Sequence, residues 1–279
     1  MCATLWSMIG WPSRRREWSM ERKLKAIAEA GFDGVSEMGS LELRGMLEPL
    51  GLRLMGKLDV ARTGEIRANL LAQRAAGAHF VNVQLLDHDT PPEKAARVAV
   101  RAVRESEALG MGVHIETHRD TATETPEKFE AIADLFARET GRVMPVTWDH
   151  SHFAVSKHVA PSAYIDRLLV WRDSIQASSV FHLRPFNGQH CQVPVCDERG
   201  RKTPEFRDYM VFVEELFATW MRGPMSGGEL WVVPELGMTH GYHLSVHPHP
   251  WPGAVVAARA YRQAFAAAWG RVGKLRSRF

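Results

Sequence analysis

Four short apolar runs in this chain each end on a side chain that can ligate a metal ion or move a proton. They are Gly112-Val113-His114-Ile115-Glu116-Thr117-His118, Val146-Thr147-Trp148-Asp149, Val180-Phe181-His182 and Trp231-Val232-Val233-Pro234-Glu235. Read at the two-residue period of a strand, the first run puts Val113, Ile115 and Thr117 on one face and His114, Glu116 and His118 on the other. Any one of these residues alone is more simply a strand cap or a solvated group; four strand-end ligands of this kind point to a common site. Glu116, Asp149, His182 and Glu235 together offer mainly hard oxygen donors with one nitrogen. That set suits a single divalent ion, Mn, Mg, Co or Zn, with positions left open for substrate, whereas structural zinc prefers cysteine.

Bringing four residues so far apart in sequence to one point requires a repeating scaffold, and the hydrophobic pattern supplies one. Strands are expected at 4–9, 33–38, 52–57, 79–86, 112–118, 146–149, 176–184 and 229–235. Helices are expected between and after them at 18–30, 41–50, 64–76, 92–109, 125–139, 160–171, 203–221 and 253–269. Thr125-Pro126 is a cap residue followed by proline at the first helical position, and Gly31, Gly51 and Gly110 stop the helices before them. Eight strands alternating with eight helices imply a parallel sheet closed into a (β/α)8 TIM barrel, one α/β domain over 1–279. The links into strands two to five are tight. Those out of strands five to eight are long, at 119–124, 150–159, 185–202 and 236–252. Barrel enzymes build their sites from such loops at the C-terminal face, so loops and candidate ligands share one end.

Composition excludes several classes. With 45% hydrophobic and 24% charged residues the chain is neither disordered nor fibrous, and a net charge of +3, from 35 Lys and Arg against 32 Asp and Glu, gives no basic field for nucleic acid. Cys2, Cys191 and Cys196 form no paired pattern, which favours a reducing compartment. Arg14-Arg15-Arg16 follows the short apolar N-terminal piece, the reverse of a secretory signal, and no window reaches the ~18 apolar residues of a membrane span. A cytoplasmic enzyme without nucleic-acid or membrane partners is expected.

The residues carry a resemblance. Through Gly31-Phe32-Asp33-Gly34-Val35, Ile115-Glu116, Asp149-His150-Ser151-His152, Phe181-His182-Leu183 and Pro234-Glu235, nearly the whole chain resembles the xylose isomerase-like TIM barrel family, the sugar isomerases and epimerases related to AP endonuclease family 2. The resemblance implies that Glu116, Asp149, His182 and Glu235 bind one divalent metal, that Glu116 and Glu235 also move the proton, and that His152 contacts substrate. The implied partner is a small carbohydrate; a homo-oligomer is compatible with it. Two departures narrow this. Lys57 and Gln84 or Leu86 stand where the DNA-repair branch has metal-binding histidines, and Arg184-Pro185-Phe186-Asn187 replaces the acidic continuation common after the histidine.

A carbon-bound proton next to a carbonyl is weakly acidic, and a metal chelated by that carbonyl and the adjacent hydroxyl stabilises the enediolate left by its removal. Return of the proton to the other face gives epimerisation, return to the neighbouring carbon gives aldose–ketose isomerisation, and loss of a β-hydroxyl gives dehydration. His118 lies in register above Glu116 and is a candidate substrate contact, as are Arg184 and Lys57, each of which has an ordinary salt bridge as its alternative. His114, one layer deeper, reads as a hydrogen-bonded core histidine. The histidine- and proline-rich stretch at 236–252 suits a rigid lid, and Trp6 and Trp231 read as barrel filling before sugar stacking.

Overall fold

A computed structural model describes residues 1–276. Eight parallel strands run in sequence order, each hydrogen-bonded to the next: β1 (Cys2–Thr4), β2 (Gly34–Glu37), β3 (Arg53–Val60), β4 (Ala78–Leu85), β5 (Gly112–Glu116), β6 (Val146–Trp148), β7 (Val180–His182) and β8 (Trp231–Val233). β8 comes back beside β1, so the sheet is a nearly closed (β/α)8 barrel in one domain.

The helices are α1 (Met20–Glu29), α2 (Leu41–Leu47), α3 (Ile66–Ala75), α4 (Pro92–Ala108), α5 (Pro126–Thr140), α6 (His150–Ser156), α7 (Tyr164–Leu168), α8 (Arg172–Ala177), α9 (Pro204–Met221) and α10 (Pro250–Arg276). Their starts follow local chemistry. Ser19, Ser40, Thr125 and Thr203 each accept a hydrogen bond from the backbone N–H three residues on, and Pro126 and Pro204 open α5 and α9. Phe129, Ile132 and Phe136 of α5 face the core, as their 3- and 4-residue spacing requires.

Four segments differ from the sequence expectation. β1 ends at Thr4, and residues 5–8 form a 3₁₀ turn because the Thr4 hydroxyl accepts from Trp6 N and caps it. The expected loop at 150–159 is mostly α6, capped by the Asp149 side chain through Ser151 N at 2.9 Å. The single helix expected at 160–171 is cut to a 3₁₀ turn at 161–163 and α7; α8 follows it at 172–177, and β7 is shorter than 176–184. Trp231 fills the bottom of the barrel against Phe80 and under Arg53. His114 is buried edge-on to Phe80, as expected of a core histidine, and burial lowers its imidazole to about 4.

Candidate active site

Register carries the site. Glu116 is the last residue of β5 and pairs with Thr147 of β6; His182 is the last of β7 and pairs with Val233 of β8, two residues before Glu235. The three side chains therefore meet at the C-terminal mouth. His182 Nδ1 is 2.7 Å from Glu116 Oε1 and 3.0 Å from Glu235 Oε2. The second oxygen of Glu116 accepts from Asn82 Nδ2 at 2.7 Å and Gln84 Nε2 at 3.1 Å, both on β4. Burial pushes the Glu116 carboxyl up, but the adjacent His182 imidazolium outweighs it and holds it at about 2. The same contest has the opposite result on the imidazole: burial lowers His182, and Glu235 and Glu116 together raise it to about 10.

Such spacing fits a cation. One ligand atom from each of Glu116, His182 and Glu235 can be chosen so that all lie within 4.8 Å of one another. Adjacent ligands around an ion bonded at 2.0–2.1 Å stand roughly 3 Å apart, near the two contacts that His182 Nδ1 makes. Two carboxylates and an imidazole are a donor set for Mg, Mn, Co or Zn, and the ring nitrogen must shed its proton to join it.

Asp149, expected as the fourth ligand, stands outside this group. Its Oδ1 caps α6, and its Oδ2 accepts from Arg184 Nε at 3.2 Å and Nη2 at 3.1 Å and lies 3.2 Å from His152 Nε2. Arg184 Nη2 reaches on to Glu235 Oε2 at 2.7 Å. Burial lowers the His152 imidazole, but Asp149 more than reverses this and raises it to about 9. Three buried carboxylates are thus matched by three buried cations, Arg184, His152 and His182, and the half-buried Lys57 Nζ lies 3.8 Å from Glu235 Oε1. A buried ionic cluster is tolerable only when its charges are matched in this way; Arg184 Nη1, His152 Nε2 and His182 Nε2 are buried without a hydrogen-bond partner.

Rings roof the Arg184 side of the cluster. The guanidinium lies 4.2 Å from the centre of the Tyr242 ring and 5.4 Å from that of Trp6. Trp6 donates from Nε1 to Thr239 at 2.7 Å and meets Tyr242 edge-on at 5.0 Å. Gln192 pins the loop after β8 by donating to the Gly237 and Tyr242 carbonyls and accepting from Gly237 N at 2.6 Å. Gly237 must be glycine here, since a Cβ would lie 2.2 Å from Trp6 Cη2.

A cavity of about 1010 Å³ opens beside the cluster. Its polar wall holds Lys57, Asp59, Gln84, His118 and Glu235; its outer wall is apolar, with Leu5, Ile9, Met20, Met38, Leu43 and Met46. Of the expected substrate contacts, Lys57 and His118 line this cavity. His152 and Arg184 are buried behind it beside Tyr242, because Asp149 draws both inward. His118 donates from Nδ1 to the Arg119 carbonyl, its ring lies 4.5 Å from that of His152, and burial lowers it to about 4. Lys57 pairs with Glu235 and not with Glu37, whose carboxylate accepts from the next backbone N–H. The expected lid covers the cluster through Tyr242, not through its histidines.

Four residues were missed. Asn82 and Gln84 alternate with Val81, Val83 and Leu85 on β4, the same polar-inward pattern as β5, so the signal was present. Asp59 follows Lys57 by two and points into the cavity; burial and then the Glu116 charge raise its carboxyl. Tyr242 carried no local signal.

The fold defines the class, a (β/α)8 barrel, with its ionic cluster at the C-terminal mouth. No family model and no curated protein matches the sequence. Among solved structures the chain is similar to an L-ribulose 3-epimerase, with TM-score 0.65 at 11% identity, covering 98% of this chain and 97% of that one. It is also similar to a xylose isomerase-like TIM barrel protein from Mycobacterium smegmatis in complex with magnesium, with TM-score 0.56 at 13% identity over 96% and 97%. A third is a xylose isomerase-like TIM barrel/4-hydroxyphenylpyruvate dioxygenase fusion protein, with TM-score 0.59 at 14% identity; 97% of this chain matches 44% of that one. At such identities the likeness establishes the fold. Among the described residues no helix is long and apolar enough to cross a membrane.

Proposed function

We propose that the protein is a divalent-metal-dependent isomerase or epimerase of a keto-sugar, working by removal of the proton next to the carbonyl. The observation that carries this reading is the meeting of Glu116, His182 and Glu235, with Glu235 on the wall of a cavity of about 1010 Å³, large enough for a sugar. Bound by these three, Mn, Mg, Co or Zn would supply Lewis-acid stabilisation of negative charge on the substrate oxygens. The chain's own residues do the rest. Glu116 has both oxygens engaged, by His182 on one side and by Asn82 and Gln84 on the other, so it is held rigidly. Glu235 lines the cavity, and among the described residues its Oε1 is paired with Lys57 Nζ at 3.8 Å, which makes it the freer base. Epimerisation needs the proton returned from the other face, the part assigned to Glu116; Lys57 and His118 orient hydroxyls.

A second reading is loss of a β-hydroxyl from the same intermediate, a dehydratase, and Asp59 favours it. Its carboxyl lines the cavity two residues on from Lys57, where it can serve a leaving hydroxyl.

Incubation of the Mn-loaded protein with a panel of keto-sugars in heavy water, followed by NMR, tests both. Deuterium at the carbon beside the carbonyl in an epimer or isomer supports the first reading, and a dehydrated product with the same exchange supports the second. Turnover with no exchange in any variant able to admit solvent sinks the proton-abstraction mechanism.

A further inference from the structure

Asp149 is the strand-end carboxylate that fails to join the other ligands, and the reason is on the other side of it. Both of its oxygens are already committed: Oδ1 caps α6 through Ser151 N, and Oδ2 holds Arg184 and lies 3.2 Å from His152 Nε2. Arg184 is 1% exposed, bridges Asp149 to Glu235 and is roofed by Tyr242 and Trp6. A guanidinium cannot shed its proton in a protein, so wherever it is buried it remains a cation and keeps its counter-ions. Its fork geometry lets Nε and Nη2 hold one Asp149 oxygen while Nη2 also reaches Glu235.

We infer that Arg184 is a resident cation of the site, holding Asp149 as its counter-ion, so that a divalent ion is bound by Glu116, His182 and Glu235 without Asp149. This rests on the reading that the site takes a metal. Arg184 acts on the ion in two ways. It withholds the Asp149 carboxylate, and it shares Glu235 Oε2 while adding a positive charge that the ion must tolerate. Arg184 is therefore a positioning residue that sets metal affinity and leaves coordination positions for substrate oxygens. Because the cluster is charge-matched around it, the mouth of the barrel is already built before any ion arrives.

A double-mutant cycle read by Mn²⁺ titration calorimetry tests this on the intact chain, with circular dichroism as the control for folding. Arg184→Met keeps the length and removes the charge; it is expected to bind Mn²⁺ about tenfold tighter or more, because Asp149 becomes free to ligate. Adding Asp149→Asn to Arg184→Met is expected to abolish that gain. Asp149→Asn alone is expected to shift the affinity by less than about threefold. No gain in Arg184→Met, or a loss of about tenfold or more in Asp149→Asn alone, overturns the inference. If Arg184→Met does not fold, crystals of the unaltered protein soaked in Mn²⁺ decide: an ion on Glu116, His182 and Glu235 with Asp149 still on Arg184 supports it, and an ion bonded to Asp149 overturns it. Absence of Mn²⁺ binding by both the unaltered protein and Arg184→Met is a different result, which removes the metal reading and this inference with it.

Discussion

The two halves of the barrel mouth are built on opposite principles. On the β5–β8 side, Glu116, Asp149, His152, His182, Arg184 and Glu235 are packed out of contact with bulk water, every carboxylate meeting a cation within 3.2 Å. The side formed by β1–β4 and the start of the chain is open: Lys57, Asp59 and Gln84 stand along one wall of the cavity, and Met20 and Met38, 41% and 57% exposed, stand along the other. Charges that must be held in one geometry are buried against opposite charges, which costs desolvation but reduces the need to reorganise during a reaction. Surfaces that must admit a substrate are left with flexible thioethers and single polar groups. Glu235 and His118 belong to both halves, so the proton removal proposed for Glu235 sits on the seam.

The sharpest way to break this division is on the seam itself. Glu235→Gln is expected to lower kcat by about 10²–10⁴, the range for loss of a general base, while steady-state kinetics on Met38→Ala show a change of under about tenfold confined to KM. Equal losses from the two variants would mean that the halves are not functionally separate.

The next effect is one of pH, and it reads the buried half alone. His182 is raised from 6.5 to about 10 in the fold, so without metal its contribution to stability is full below pH 6.5 and is lost as pH rises through about 10. Glu116 is lowered from 4.5 to about 2, so its contribution is present above pH 4.5 and is lost as pH falls through about 2. Thermal unfolding of the metal-free protein should therefore show Tm falling between pH 6.5 and 10. Because ligation requires the His182 proton to leave, the rise in Tm on adding Mn²⁺ should grow over the same interval. A Mn²⁺ effect that is flat with pH would remove His182 from the ligand set.

Lys57→Met probes the open half where it touches Glu235. Loss of a cation 3.8 Å from the freer oxygen, on a side chain that is 24% exposed, is expected to cost about tenfold in kcat/KM and to leave Mn²⁺ affinity within about threefold. The smallest expected effect is that of Gly237→Ala, which forces Trp6 aside. Overpacking of this kind costs about 1–3 kcal/mol, seen as a Tm lower by several degrees with a shift in tryptophan emission.

What the amino-acid order determined by itself was whatever depends on local spacing. Alternating strand and helix periods, proline and hydroxyl caps, and apolar runs ending on Glu116, His182 and Glu235 are written within a few residues of one another, and together they imply a barrel with its chemistry at one end. Asp149 shows where that legibility stops. Its type and strand-end place are those of a ligand, but its next neighbours turn into α6 and take one oxygen as a cap, and Arg184, 35 residues away, takes the other. Neither strand-end position nor residue type says which of two cations, a resident guanidinium or an ion from solution, a carboxylate will face. Asn82 and Gln84 were readable from the alternation of β4, but their shared acceptor is an oxygen 34 and 32 residues on, fixed only when β4 and β5 pair. Tyr242 and Trp6, from opposite ends of the chain, meet over Arg184 because the barrel closes β8 against β1. Closure of the barrel creates that contact, and no pattern within either segment encodes it.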